Sequence, residues 1–268
     1  MSQRIAILGA GVMGETLLSA ILSAGHPGAD LVISEKRAER AAELREAHGV
    51  EVTGNAEAVA DADVVLLVVK PQDVPALLDE IAPAVRTSAT VVSLAAGITI
   101  DAMSAALPEG VAVVRAMPNT PALVGEGMFG VSPGGSVTDE QLAAVVTMLE
   151  AGGRVVVVDE SRQDAVTAVS GSGPAYVFYL AEAMIAGGVA EGLDVDTART
   201  LAAQTLVGAA KLLSESDETA EELRRRVTSP NGTTHAAITT FDERGVRDGL
   251  LAGVAAAAAR SAELSGPA

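Results

Sequence analysis

The sequence predicts an α/β N-terminal half of Rossmann-like, dinucleotide-binding type, followed by an all-α C-terminal half. Three observations carry this prediction. Short aliphatic runs alternate with amphipathic stretches of helical period as far as Glu160. A glycine-rich turn, GAGVMG, directly follows the first of those runs. Beyond Glu160 the β-rich runs stop and only helical patterns continue.

The β-rich runs lie at 4–8, 30–34, 50–53, 63–69, 90–95, 111–117 and 154–159, and amphipathic stretches at 37–48, 74–85 and 139–150 separate several of them. This βαβ rhythm implies a parallel sheet with both faces covered, and strands aliphatic throughout fit that burial. Helical patterns then occupy 161–169, 173–190, 195–213, 218–227 and 245–264, with Gly192 and Asp194 supplying a helix stop and a new start. The expected domains are therefore 1–160 and 161–268, joined at a short junction around 159–162. The stretch 173–190 is apolar around much of its circumference and calls for burial on more than one side. A helical domain of about a hundred residues has little core to offer several such helices, so subunit association is expected. A central helix inside a monomeric bundle is the alternative.

Composition narrows the function classes. The 268 residues carry 18 basic and 35 acidic side chains, a net charge of −17. Neither a nucleic-acid backbone nor an anionic membrane surface is expected as partner. Hydrophobic residues make up 49% of the chain, which argues against wholesale disorder. Without cysteine, neither disulfides nor thiol chemistry is available. His26, His48 and His235 are scattered and none has a second ligand at helical spacing, so no metal site is expected. The start MSQRIAILGAG does not read as a secretory signal, and the longest aliphatic run, 64–69, is too short to span a bilayer. A cytoplasmic protein is expected.

The chemistry is concentrated in strand-end loops. In RIAILGAGVMGETLL, Gly9, Gly11 and Gly14 surround Val12 and Met13 between a strand and a helix. Gly9 suits the tight turn, Gly11 the backbone's approach to a pyrophosphate, and Gly14 close packing of helix and strand. About 20 residues on, where the coenzyme's ribose is read, stands ISEKR. Glu35 would accept from a 2′-hydroxyl and favour NAD. Ser34, Lys36 and Arg37 would suit the 2′-phosphate of NADP, and the signals conflict. Val69, Lys70 and Pro71 end the fourth strand, and Ala95, Ala96 and Gly97 end the fifth, leaving room for a flat ring. Asn119 follows the sixth strand between two prolines. Two further turns lead into helices in the second half: Ser170, Gly171, Ser172 and Gly173, and Ser229, Pro230, Asn231 and Gly232 with Thr233 and Thr234 behind them. Both offer free N–H groups to an anion, whereas two ordinary helix caps are the plainer reading.

In order, GAGVMG, VVKPQ, SLAAGITI, RAMPNTPALVGEG, AVSGSGPAYVF and VTSPNGTTHA resemble the pyrroline-5-carboxylate reductases over nearly the whole chain. The resemblance implies reduction of Δ1-pyrroline-5-carboxylate to L-proline with NADPH, NADH being admissible. It also implies a helical dimerisation domain and a homodimer at least, with decamers known in the family. The anion becomes the substrate carboxylate, held by N–H groups around Gly232–Thr234. Ser170–Gly173 would shape the adjoining wall, and Tyr176 and Phe178 would buttress it. The family's threonine falls on Thr234, the candidate catalytic group, bonding the ring nitrogen. One departure stands out, Asn231 where the family usually has glycine; asparagine tolerates the left-handed conformation. The β-hydroxyacid dehydrogenases share the glycine turn and the helical second half. They use a catalytic lysine early in a long helix, and Lys211 is the only lysine here after Lys70. A non-catalytic dinucleotide sensor would leave the two anion-ready turns without a role.

Overall fold

A computed structural model describes residues 3–266. Its N-terminal part is a doubly wound sheet. In chain order it contains β1 (Ile5–Leu8), α1 (Val12–Ser23), β2 (Leu31–Ser34), α2 (Ala38–His48), β3 (Glu51–Thr53), α3 (Asn55–Ala60), β4 (Val64–Leu67) and α4 (Val74–Ile81). Then follow β5 (Thr90–Ser93), α5 (Ile100–Ala106), β6 (Ala112–Met117), β7 (Gly127–Pro133), α6 (Asp139–Glu150), β8 (Gly153–Val157) and α7 (Gln163–Val166). The helices α8 (Gly173–Ala190), α9 (Val195–Glu215), α10 (Ala220–Arg226), α11 (Thr233–Glu243) and α12 (Val246–Ser265) complete the chain.

The strands form one sheet in the order β3-β2-β1-β4-β5-β6-β7-β8. Neighbours on β1 and β4 send alternate side chains to opposite faces. Ile5, Ile7, Val64 and Leu66 join α1, α2 and α6 in one core, and Ala6, Leu8, Val65 and Leu67 join α3, α4 and α5 in the other. Burial on both faces explains why these strands are aliphatic at every position.

Two expectations need correction. The sheet is not wholly parallel, because β7 runs antiparallel to β6. That strand, Gly127–Pro133, is also absent from the sequence reading, which left GMFGVSP beyond the runs it recognised. Only a short 3₁₀ turn, Thr120–Val124, separates β6 from β7. A parallel return needs a crossover of a dozen or more residues, so so brief a link sends the chain back antiparallel. The turn at 170–173 is likewise not an open loop. The helix α7 runs into a π-helical turn, Thr167–Gly171, and only Ser172 stands between that turn and α8.

Compact packing divides the described chain into two units. One runs through Ser172 and takes the chain back from Ala257; the other is Gly173–Ala256. The change from strands to helices near residue 160 thus precedes the division between compact units. In the first unit the end of α12 is fastened by side chains: Ser261 Oγ donates to Asp164 Oδ1 at 2.7 Å, and Arg115 Nη2 lies 3.4 Å from Ser265 Oγ. In the second, α8 packs along α9, where Gly188 lets Ala198 approach closely. The α8 side chains Val177, Phe178, Tyr179 and Leu180 are exposed, Phe178 at 63% and Tyr179 at 73%. Among the described residues, no helix is long and apolar enough to cross a membrane.

Candidate active site

The strand order reverses direction between β1 and β4, and ligands of open α/β sheets bind beyond the strand ends at such a point. The turn after β1 is built accordingly. Gly9 has φ +111, and a Cβ there would lie 2.5 Å from the Val68 carbonyl oxygen. A Cβ on Gly14 would lie 1.9 Å from the Gly9 oxygen. At Gly11 a Cβ would meet nothing within 4 Å. The protein itself therefore requires glycine at the first and third positions. At the second, glycine faces open space, as backbone that receives a pyrophosphate should. Gly11 is also the N-cap of α1 and carries no side-chain cap, leaving the first-turn N–H groups of Met13 and Gly14 open to an anion.

A cavity of about 500 Å³ opens beside this turn. Gly9, Ser34, Lys36, Arg37 and Val69 line it, so five of the sequence-predicted coenzyme residues meet there. Val12, Met13, Lys70, Pro71 and the loop Ala95, Ala96, Gly97 lie outside that cavity lining, at the ends of β1, β4 and β5 along the same sheet edge. The loop after β5 is tight against the C-terminal helix: Gly97 has φ +77, and a Cβ on it would lie 2.8 Å from the Leu264 oxygen.

Asn55, Asp73 and Glu80 also line the cavity, and the sequence reading did not single them out. The buried Ser34 hydroxyl donates to Asn55 Oδ1, and Asn55 Nδ2 donates to Glu80 Oε2 at 3.0 Å. Lys36 Nζ lies 3.5 Å from the same Glu80 oxygen. The only sequence signal for Asn55 was its place after Gly54 at the end of a short strand.

Asn119 is held at both ends of its amide. Nδ2 donates to the Ser170 carbonyl at 3.1 Å, and Oδ1 accepts from the Met128 N–H at 2.8 Å. It thereby ties the proline-bounded loop to the π-helical turn and to the start of β7. In that turn the Ser172 N–H donates to the Thr167 carbonyl, and Ser170 Oγ donates to the Val166 carbonyl. These groups are therefore engaged within the helix, unlike those of the free turn expected at 170–173. Gly171 packs against the Met117 side chain, whose flexible end would have to move aside for a Cβ there.

In the second unit the other turn keeps its expected form. Asn231 has φ +60, the sole non-glycine with positive φ among the described residues. Gly232 N–H donates to the Ser229 carbonyl at 3.0 Å and Gly232 is the N-cap of α11, with no side-chain cap. The first intrahelical bond closes from Ala236 to Gly232. The N–H groups of Thr233, Thr234 and His235 thus have no intrahelical acceptor. By contrast, α9 and α10 are capped by the side chains of Asp194 and Thr219. Thr233 is exposed and Thr234 half-buried.

Comparison with known proteins places these features in a family. A family model for pyrroline-5-carboxylate reductase dimerisation matches residues 160–264, and one described as NADP oxidoreductase, coenzyme F420-dependent, matches residues 4–97. The chain is 44% identical to a pyrroline-5-carboxylate reductase of Pseudomonas aeruginosa, over 98% of this chain and 97% of that one. Its structure is similar to that of a pyrroline-5-carboxylate reductase from Coxiella burnetii, with a TM-score of 0.94, 31% identity and full coverage of both chains. A pyrroline carboxylate reductase of Plasmodium falciparum, solved with NADP bound, matches with a TM-score of 0.86 and 26% identity over 98% of each chain.

Proposed function

Because the chain belongs to the pyrroline-5-carboxylate reductase family, we propose that it reduces Δ1-pyrroline-5-carboxylate to L-proline, the last step of proline biosynthesis, with NADPH as favoured coenzyme. The observation that carries this reading is the family relationship over nearly the full length of the chain, which takes in both the glycine turn after β1 and the turn before α11.

The division of labour follows the two kinds of element. Residues 1–160 hold the coenzyme and 161–268 supply the substrate turn and the dimer contact. When bound, the coenzyme supplies hydride to the imine carbon, while a proton rests on the ring nitrogen. The chain's own groups bind and orient. Gly9, Gly11 and Gly14, with the N–H groups of Met13 and Gly14, receive the pyrophosphate. Ser34, Lys36 and Arg37 face the adenosine ribose, and Val69, Lys70, Pro71, Ala95, Ala96, Gly97 and Asn119 form the wall along the other strand ends. The uncapped N–H groups of Thr233 and Thr234, in the turn that Gly232 closes, hold the substrate carboxylate, a role suited to the positive end of α11. Ser229 and Asn231 fix that turn. Ser170, Gly171, Ser172 and Gly173 shape the wall by their helical path, with their N–H groups playing no part in anion binding. The Thr234 hydroxyl bonds the ring nitrogen. A hydroxyl is a weak acid, so its contribution is orientation of an already protonated imine.

The exposed apolar residues of α8 support association into a homodimer at least, with a decamer as the further assembly. A cytoplasmic location belongs to the same proposal. The test is turnover of synthetic pyrroline-5-carboxylate with NADPH, followed by proline formation. Consumption of NADPH with a 3-hydroxyacid's keto form, and none with the imine, would transfer the chain to the rival chemistry.

A further inference from the structure

The coenzyme cleft contains a charge arrangement that its assignment alone does not explain. Glu35 directly follows β2 and its side chain is only 9% exposed. Its partners are the two residues that follow it, Arg37 above all. The Arg37 backbone N–H donates to Oε1 at 2.8 Å, Arg37 Nε to the same oxygen at 3.2 Å, and Arg37 Nη2 to Oε2 at 3.0 Å. The other nearby cation, Lys36, is within 3.5 Å of Glu80. Both basic side chains that would meet a 2′-phosphate are thus paired with carboxylates, and Asp73 adds a further negative charge to the lining. The arrangement offers a carboxylate to a ribose hydroxyl and no uncompensated positive charge to a phosphate.

The Arg37 side chain is nevertheless 72% exposed, so its guanidinium is free to swing away from Glu35. Doing so strips a mostly buried carboxylate of its main partner, a cost that a bound 2′-phosphate must offset, while Glu35, held also by the Arg37 backbone N–H, stays in place. On the reading of this cavity as the coenzyme cleft, we propose that Glu35 is a specificity-determining residue that works through Arg37. With the pair closed, Glu35 accepts from the free 2′-hydroxyl of NADH. With the pair open, Arg37 turns to the 2′-phosphate of NADPH against the repulsion of Glu35. The pair thereby keeps both coenzymes in use and limits the preference for NADPH.

The test is direct binding of NADPH and NADH to the full chain, read by coenzyme fluorescence without substrate, for wild type, Glu35→Gln, Arg37→Gln and the double variant. Glutamine retains an acceptor for the Arg37 N–H, so the loop is kept. Glu35→Gln is expected to tighten NADPH by about tenfold and to weaken NADH a few-fold, the scale of one charge-assisted hydrogen bond gained or lost. Arg37→Gln is expected to weaken NADPH, and to do so more strongly in the Glu35→Gln background, where the guanidinium is free. Equal shifts for the two coenzymes, or an Arg37→Gln effect of the same size in both backgrounds, would overturn the proposal. Binding without turnover of the imine would count against the substrate assignment alone, since this comparison is complete without substrate. Wild-type protein that binds neither coenzyme would overturn the cleft assignment and this proposal together.

Discussion

Thr234 and Thr233 adjoin each other at the start of α11 yet are set differently, one half-buried and the other exposed. Loss of a hydroxyl that bonds the reacting imine should lower kcat and not merely raise KM. Thr234→Ala is expected to reduce turnover from a few-fold to about a hundredfold, the range of one lost hydrogen bond to a neutral or charged partner. Thr233→Ala should mainly affect stability, and both variants should keep carboxylate binding, because the N–H groups survive. Wild-type turnover in Thr234→Ala beside a crippled Thr233→Ala would exchange the two roles. At the coenzyme end, Lys36→Ala with Arg37→Ala should raise KM for NADPH far more than for NADH; equal rises would remove both from 2′-phosphate recognition. At this scale local backbone geometry was legible. Asn231 stands in a glycine's place, and its φ of +60 is the conformation that asparagine tolerates. Ser34 was legible as a polar residue ending a strand beside the glycine turn, but its partner Asn55 was not. That contact exists because β2 and β3 pair side by side, a fact of sheet order that no local pattern contains.

Among the elements, α1 and α2 are joined by a polar clamp. Glu15 accepts from the Arg40 guanidinium and from His48 Nε2, the latter at 3.1 Å. His48 ends α2, where Gly49 caps the helix at φ +66; its bond to Glu15 depends on the packing of two helices, which the spacing of the histidines does not contain. The His48 hydrogen bond holds the Glu15 carboxyl below the ordinary glutamate range; burial opposes it as the next largest effect, and Arg40 adds to the lowering. A depressed carboxylate stabilises the fold fully above its unfolded pKa, and that contribution is lost as the pH falls through the lower folded value. Glu15→Gln should therefore lower Tm by a few degrees at most near neutrality, and the difference from wild type should vanish in acid. A Tm difference that persists unchanged into strong acid would show that the clamp's charge is irrelevant. Legibility at this scale followed periodicity. Aliphatic strands and long helical patterns declare themselves, so α6 and α8 begin and end where the pattern does. β7 does not, because glycine and proline interrupt it and its place is set by pairing with β6 and β8. The stretch at 170–173 has the composition of a turn, yet the helix absorbs it by widening to i→i+5 hydrogen bonds.

For the molecule as a whole, the exposed apolar residues of α8 and the match to a dimerisation family model point to self-association. Light scattering of the purified chain should give at least twice the mass of one 26.9 kDa chain. Replacing Phe178 and Tyr179 together by Asp should lower that mass and the activity with it, whereas a fully active monomer would remove the interface from the account. The central claim is a hydride transfer from coenzyme to a cyclic imine, and product isotope content tests it most directly. Pyrroline-5-carboxylate turned over with NADPH deuterated at the transferring position should yield proline carrying one deuterium. That deuterium should sit on the ring carbon that was doubly bonded to nitrogen, as read by NMR. Proline without deuterium there, or no proline at all, would contradict the account.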